Sequence, residues 1–338
     1  MRTKFREGDV IETFEKAFFD VKGLVHPPTR VVAFIRFMPD SDGDRKRNGV
    51  KYRKVYALSE RYALLEESFP KYLVYDPVFD EQVCEVPIKD ITHHFKPVDY
   101  LQNLREGENL GKLEAQALQF VETLKDAADV SWRNLGVSGS IMVGLHKSSS
   151  DIDPIVYGSE NCRKLYSALK SLLQDKESLM KPYTAKELKA LFDFRSKDTV
   201  TSLEDFLKTE SRKVLQGRFM NRDYFIRFVK GWDEVEKRYG VIRYTNEGYA
   251  RIKATVTEDS EAIFTPCCYG IDNVKVLEGI RDKKIVEIAS FRGRFCEQAE
   301  KGEGVIAQGK VEGVHRAGET EHFRLLLGNK PSDFMVLT

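Results

Sequence analysis

Two short motifs within residues 136–158, GVSGSIMVGLHKSSSDIDPIVYG, carry side chains of the types and spacing that phosphoryl chemistry needs. Asp151 and Asp153 stand two apart, so on a strand both carboxylates project from one face while Ile152 turns to the core, and together they suit Mg²⁺. Gly139 would let the backbone approach a triphosphate closely. Ser140, opening a short helix, would add a hydroxyl and N–H donors at the positive helix end. The chemistry is in-line displacement, in which a pair of Mg²⁺ ions would activate an attacking hydroxyl and stabilise the departing pyrophosphate. On this reading Gly139 and Ser140 bind nucleotide, and Asp151 and Asp153 are the metal-binding catalytic pair.

These residues work only if strands and helices hold them together. Leu113, Ala117, Phe120, Val121, Leu124 and Ala128 recur at steps of three and four and predict an amphipathic helix. A strand over Trp132–Val137 then ends at Gly139-Ser140, a second strand runs over Ile152–Tyr157, and a helix follows with Ser159 as its cap. Helix, strand, Gly-Ser, short helix, then Asp-x-Asp on the next strand resembles the signature of the polymerase-β-like nucleotidyltransferase superfamily, with Gly139, Ser140, Gly144, Asp151 and Asp153 matching it over roughly residues 110–235. The whole chain also resembles a group of archaeal proteins described only as predicted nucleotidyltransferases, through phrases such as HPPTRVVAF and SFRGRFCEQA. The resemblance implies Mg²⁺, an NTP substrate and a third carboxylate on a later strand. In RDYFIRFVK only Asp223 is acidic, and it reads either as that third catalytic acid or as a solvated turn residue beside Arg222. Arg227 reads as a phosphate ligand in the acid's place or as a surface ion pair. Lys147, in the loop before Asp151, reads as a phosphate-neutralising group or as plain solvated charge. Pro154 removes a ladder N–H, so the strand must be unpaired or bulged there.

The remainder of the chain frames this module. Of 338 residues, 41% are apolar and 32% charged, which fits a folded protein; Lys and Arg total 54 against 53 Asp and Glu, and the net charge of +1 excludes a polycation or an acidic tail. Strand-forming runs before residue 105 and after residue 240 predict an α+β protein with three domains: an N-terminal α+β domain (1–105), a central nucleotidyltransferase-type mixed sheet with helices (106–240), and a C-terminal antiparallel β domain (241–338). Thr184 with Glu187, and Ser202 with Asp205, mark two further helix starts. The five cysteines form no CxxC pair and read as reduced thiols, no segment is long and apolar enough to span a bilayer, and the polar start is unlike a signal peptide, so a cytoplasmic location is expected. Arg251 and Lys253 on an alternating strand, and Arg292 and Arg294 in FRGRF, read as a nucleic-acid-binding surface or as solvated strand edges. The expected activity is transfer of a nucleoside monophosphate from an NTP to a hydroxyl or amine on RNA or another acceptor. The alternative is a noncatalytic nucleic-acid-binding protein that keeps the fold as a scaffold.

Overall fold

In a computed structural model that describes residues 4–197, 199–236 and 238–338, the mixed helix and strand content bears out the α+β class. The chain gathers into two units, each assembled from three segments: Met1–Tyr56, Glu85–Tyr183 and Val214–Val235 form the first, and Ala57–Cys84, Thr184–Lys213 and Glu236–Thr338 the second. This division differs from three contiguous domains, because packing between residues far apart in sequence joins the first 56 residues to the Asp-x-Asp strand. At Gly8, with φ of +95°, an added Cβ would stand 2.1 Å from Ile155 Cδ1, and Ser138 Oγ donates to the Gly8 carbonyl over 2.6 Å.

In the first unit, the strands Arg45–Arg47, Val50–Lys54, Arg30–Pro39, Phe18–Val21, Val10–Thr13 and Ile91–Phe95 lie side by side in that order, all antiparallel. Their alternation sends Val10, Phe18, Phe37 and Tyr52 to one face, where they bury Met142, Val143 and Leu145 from the segment after Gly139-Ser140. The N-terminal sheet is thus the roof over the signature helix. The helix Lys112–Ala128 buries the expected stripe of Leu113, Ala117, Phe120, Val121 and Leu124. Its Phe120 ring stacks on Phe219 with centroids 4.4 Å apart.

The small central sheet has Pro154–Tyr157 in the middle, antiparallel to Leu135–Val137 and parallel to Arg227–Val229. Residues 132–134 form a 3-10 turn, so the first strand is shorter than the sequence suggests. The parallel ladder breaks at Pro154, which still pairs with Val137 on its other side. Ile226, its register partner between the pairs Ile152–Tyr224 and Ile155–Arg227, gives its N–H to the Leu215 carbonyl instead, over 2.7 Å. After the strand, the helix Ser159–Gln174 starts at Gly158, whose φ of +91° glycine tolerates. Ser159 is therefore the first helical residue and not the cap; the Glu234 carboxylate accepts from its N–H at 3.0 Å and from its hydroxyl at 2.9 Å.

The second unit is built on a barrel. Strands Ile242–Glu258, Cys267–Gly279, Ile285–Ser290, Glu319–Leu327 and Gly304–Arg316 pair in that order, and the last closes on the first. The expected wholly antiparallel domain is corrected at one pair, Ile285–Ser290 with Glu319–Leu327, which runs parallel because the chain crosses over through Gly304–Arg316 between them. Such a closed five-stranded Greek-key barrel leaves few free edges. Ala250, Ile252, Ala254 and Val256 fill its core as their alternation predicts. Thr184 and Ser202 cap the helices Ala185–Arg195 and Leu203–Glu210, each side chain accepting from the backbone N–H three residues on. All five cysteines are free thiols, and no helix among the described residues is long and apolar enough to cross a membrane.

Candidate active site

The buried strand Leu135–Val137 delivers the chain to Ser138, whose N–H donates to the Asp153 carbonyl over 2.9 Å and so ties the two motifs together. The four-residue helix Gly139–Met142 follows at once. Gly139 has φ of +69°, and a Cβ there would lie 2.1 Å from Asp153 Oδ2. Only glycine meets both conditions: the left-handed backbone and a carboxylate lying against its Cα. Ser140 is buried, with its carbonyl taking the Leu145 N–H at 2.9 Å.

Asp151 and Asp153 stand close enough for the charge of one to act on the other, but just ahead of the strand, which runs over Pro154–Tyr157 and not from Ile152; the fully buried Ile152 between them holds only an isolated bridge to Tyr224. Neither carboxylate makes a hydrogen bond or an ion pair shorter than 4 Å with the described residues. Burial and the neighbouring Asp151 charge push the Asp153 carboxyl up to about 7, against the pull of Arg227, Lys54 and Arg36. Unpaired acids in such a place are expensive to keep, which is the usual mark of a site built for a cation.

A wall of cations faces the pair. Arg36 comes from Arg30–Pro39, Arg45 from the edge strand Arg45–Arg47, Lys54 from the end of its neighbour Val50–Lys54, and Arg227 from the strand parallel to Pro154–Tyr157; each feels the field of one or both aspartates. Arg227 is anchored by the fully buried Glu7, which also accepts the Gly23 N–H at 2.8 Å and pairs with Lys22 at 3.3 Å. Burial opposes the Arg227 charge, but Glu7 and Asp153 more than offset it and hold the guanidinium above its ordinary range. Arg45 donates to the Leu145 carbonyl at 2.5 Å and so clamps the roof onto the loop after the signature helix.

The other sequence-predicted residues fall elsewhere. Asp223 is adjacent in the ladder, its carbonyl accepting from Ile152 N–H at 3.0 Å, but its carboxylate is half-exposed and turned to Arg218 at 2.9 Å. No three His, Cys, Asp or Glu side chains among the described residues gather at metal-binding spacing, so Asp223 does not complete a triad with the pair. The Lys147 ammonium is taken by Asp44. Arg251 bonds Gln308 at 2.8 Å and pairs with Glu278 at 3.5 Å, while Lys253 is exposed on the same strand. In FRGRF, Phe295 is buried, Arg294 bonds Thr199, and the Arg292 side chain packs over Gly328, while Phe291, Arg292 and Arg294 stay half-buried. Sequence reasoning missed Glu7, and it grouped Arg45 and Lys54 only with a basic, aromatic stretch that suits phosphate contacts and base stacking or plain solvated charge. The alternation of Val50–Lys54 does put Lys54 on the face of Tyr52, but no local signal names the loop that face covers.

No family model matches the chain, and no solved structure matches it. Over 340 aligned residues, covering 98% of this chain and 97% of the other, it is 32% identical to the "Uncharacterized protein MJ1086" of Methanocaldococcus jannaschii.

Proposed function

The chain belongs to one family with that Methanocaldococcus protein, and from the site we propose that it is a Mg²⁺-dependent nucleotidyltransferase. The observation that carries this reading is the unpartnered, like-charged pair Asp151 and Asp153, with the Asp153 carboxylate lying against Gly139 and a cationic wall around the pair. Two carboxylates without a third suit a single Mg²⁺, which ordinarily takes one or two protein carboxylates and fills its remaining positions with water and substrate phosphates. When bound, the ion would neutralise phosphate charge that develops during displacement.

The protein's own residues divide the rest of the work. Asp151 and Asp153 would orient the ion from the segment that leads into the strand Pro154–Tyr157. Gly139 leaves room for the Asp153 carboxylate, and Arg227, fixed by Glu7, presents a permanent charge to the same space. In the reaction an acceptor oxygen bonds to the α-phosphorus of an NTP and the bond from that phosphorus to the β-phosphate oxygen breaks. Diphosphate departs with the electron pair and the acceptor proton goes to water. The Greek-key connectivity of the barrel, shared with oligonucleotide-binding barrels, supports RNA as the acceptor.

One observation favours the alternative of a noncatalytic binding protein: Asp223, the acid of the later strand, is spent on Arg218. Incubation with α-labelled NTPs, Mg²⁺ and total RNA separates the two. Label joined covalently to RNA, and lost in Asp153→Ala, supports transfer; tight binding without transfer supports the alternative.

A further inference from the structure

Lys54 ends the strand Val50–Lys54, where it pairs across the sheet with Phe37, while Tyr52 pairs with Arg45 on the opposite side. Cross-strand partners and residues two apart share a face, so Lys54 lies on the face of Phe37 and Tyr52. Those two rings pack on Met142, Val143 and Leu145, directly after the Gly139-Ser140 motif. One strand register therefore fixes Lys54 beside the signature loop, a step of roughly 7 Å beyond Tyr52.

Its ammonium is the unsatisfied charge of the wall. Arg36 has Asp20 at 3.4 Å, Arg45 has the Leu145 carbonyl, and Arg227 has Glu7. Lys54 has only the Tyr56 ring, its Nζ 5.9 Å from the centroid, and makes no hydrogen bond or ion pair shorter than 4 Å among the described residues. Burial, and then the charge of Arg36, hold it below the ordinary lysine range, while Asp151 and Asp153 support its charge from a distance. An unpaired, half-buried ammonium facing two unpaired carboxylates leaves room for a group that satisfies both: an anion to the lysine side and a cation to the aspartate side. A metal-bound chain of phosphates has that pattern.

We propose that Lys54 binds the terminal phosphates of the nucleotide, so that the N-terminal sheet supplies the triphosphate-recognising wall of the site. The inference rests on the nucleotidyltransferase reading and adds the residue that distinguishes a triphosphate from a monophosphate. Lysine suits this role as a compact charge able to follow the phosphates from substrate to leaving diphosphate.

The test is calorimetric titration of the full chain with three probes in Mg²⁺: α,β-methylene-ATP, inorganic tripolyphosphate and AMP. Lys54→Gln is expected to weaken the first two at least tenfold and to change AMP affinity by less than twofold, with Lys54→Arg recovering most of the loss. If Lys54→Gln does not melt cooperatively, Lys54→Met, closer in shape, takes its place. Equal loss for AMP and the oligophosphates, or no loss for any probe, would overturn the inference. Oligophosphate binding that needs Asp153 but ignores Lys54 overturns this inference alone. Wild-type protein that binds none of the probes overturns the underlying reading as well.

Discussion

Gly139→Ala tests the geometry at the centre of the site. Alanine at φ of +69° costs about 1–2 kcal/mol in backbone strain. The new Cβ would fall 2.1 Å from Asp153 Oδ2, so the carboxylate must leave its position, adding about 0.5–1.5 kcal/mol for an off-rotamer side chain or a small backbone shift. The sum is about 1.5–3.5 kcal/mol. Gly144 is the internal control: its φ is +65°, but the nearest atoms to an added Cβ are Arg47 Cδ and Nε at 3.8 Å, so Gly144→Ala carries the backbone part alone, about 1–2 kcal/mol. Both tryptophans, Trp132 and Trp232, lie in the first unit, and their fluorescence during urea unfolding reports on this unit by itself. Gly139→Ala should lower the midpoint more than Gly144→Ala and should also remove Mg²⁺-dependent nucleotide binding, which Gly144→Ala should keep. Equal midpoints, or nucleotide binding undisturbed in Gly139→Ala, would refute the claim that the glycine exists to seat the Asp153 carboxylate.

Other consequences follow from the same electrostatics. Asp153 has a folded-state pKa raised from 3.8 to about 7, so the folded state retains a proton that the unfolded chain has lost, and stability drains away as pH rises through 7. Asp153→Asn should therefore stabilise the first unit at pH 8, by up to about 4 kcal/mol at 1.36 kcal/mol per unit, with the gain fading towards pH 4; a urea midpoint unchanged or lowered at pH 8 would contradict this. His26 accepts the Val32 N–H at Nδ1 over 3.2 Å and donates from Nε2 to the Phe5 carbonyl over 3.1 Å, an arrangement only the neutral ring satisfies, and burial lowers its pKa to about 4. The unfolded chain takes up this proton first as pH falls, so about 3 kcal/mol should be lost between pH 6.5 and 4, and His26→Gln should flatten that part of the stability profile. Glu7→Ala should cost about 3–5 kcal/mol by stripping Arg227 of its buried partner, measured as a lower urea midpoint by tryptophan fluorescence.

What could be read from the chain was what repeats locally. The stripe of Lys112–Ala128, the caps at Thr184 and Ser202, and the closeness of Asp151 and Asp153 all depend on residues within a few positions of one another, where periodicity and side-chain hydrogen bonding decide the outcome. The loss of parallel ladder pairing at Pro154 was legible for the same reason: a missing N–H acts on the spot. The unit boundaries were not, because Gly8 meets Ile155 and Ser138 across more than a hundred residues, and residues 105–111, REGENLG, whose polarity and two glycines suit a domain junction, remain inside one unit. The cationic wall was likewise hidden. Lys54 and Arg36 look like ordinary exposed-strand charges until the sheet that carries them is packed on Met142 and Leu145. In FRGRF an aromatic and basic composition suits a binding strip and a packed corner equally well, and only the fold tells the buried Phe295 from the half-buried Phe291.

The most direct test of the account is calorimetric titration of Mg²⁺·α,β-methylene-ATP into wild-type protein and into Asp151→Asn and Asp153→Asn. The account predicts binding that requires Mg²⁺ in the wild type and loss of at least tenfold in affinity in each variant, with both variants folded and Asp153→Asn the more stable at pH 8. Metal-independent binding, or binding that survives both substitutions, would contradict it.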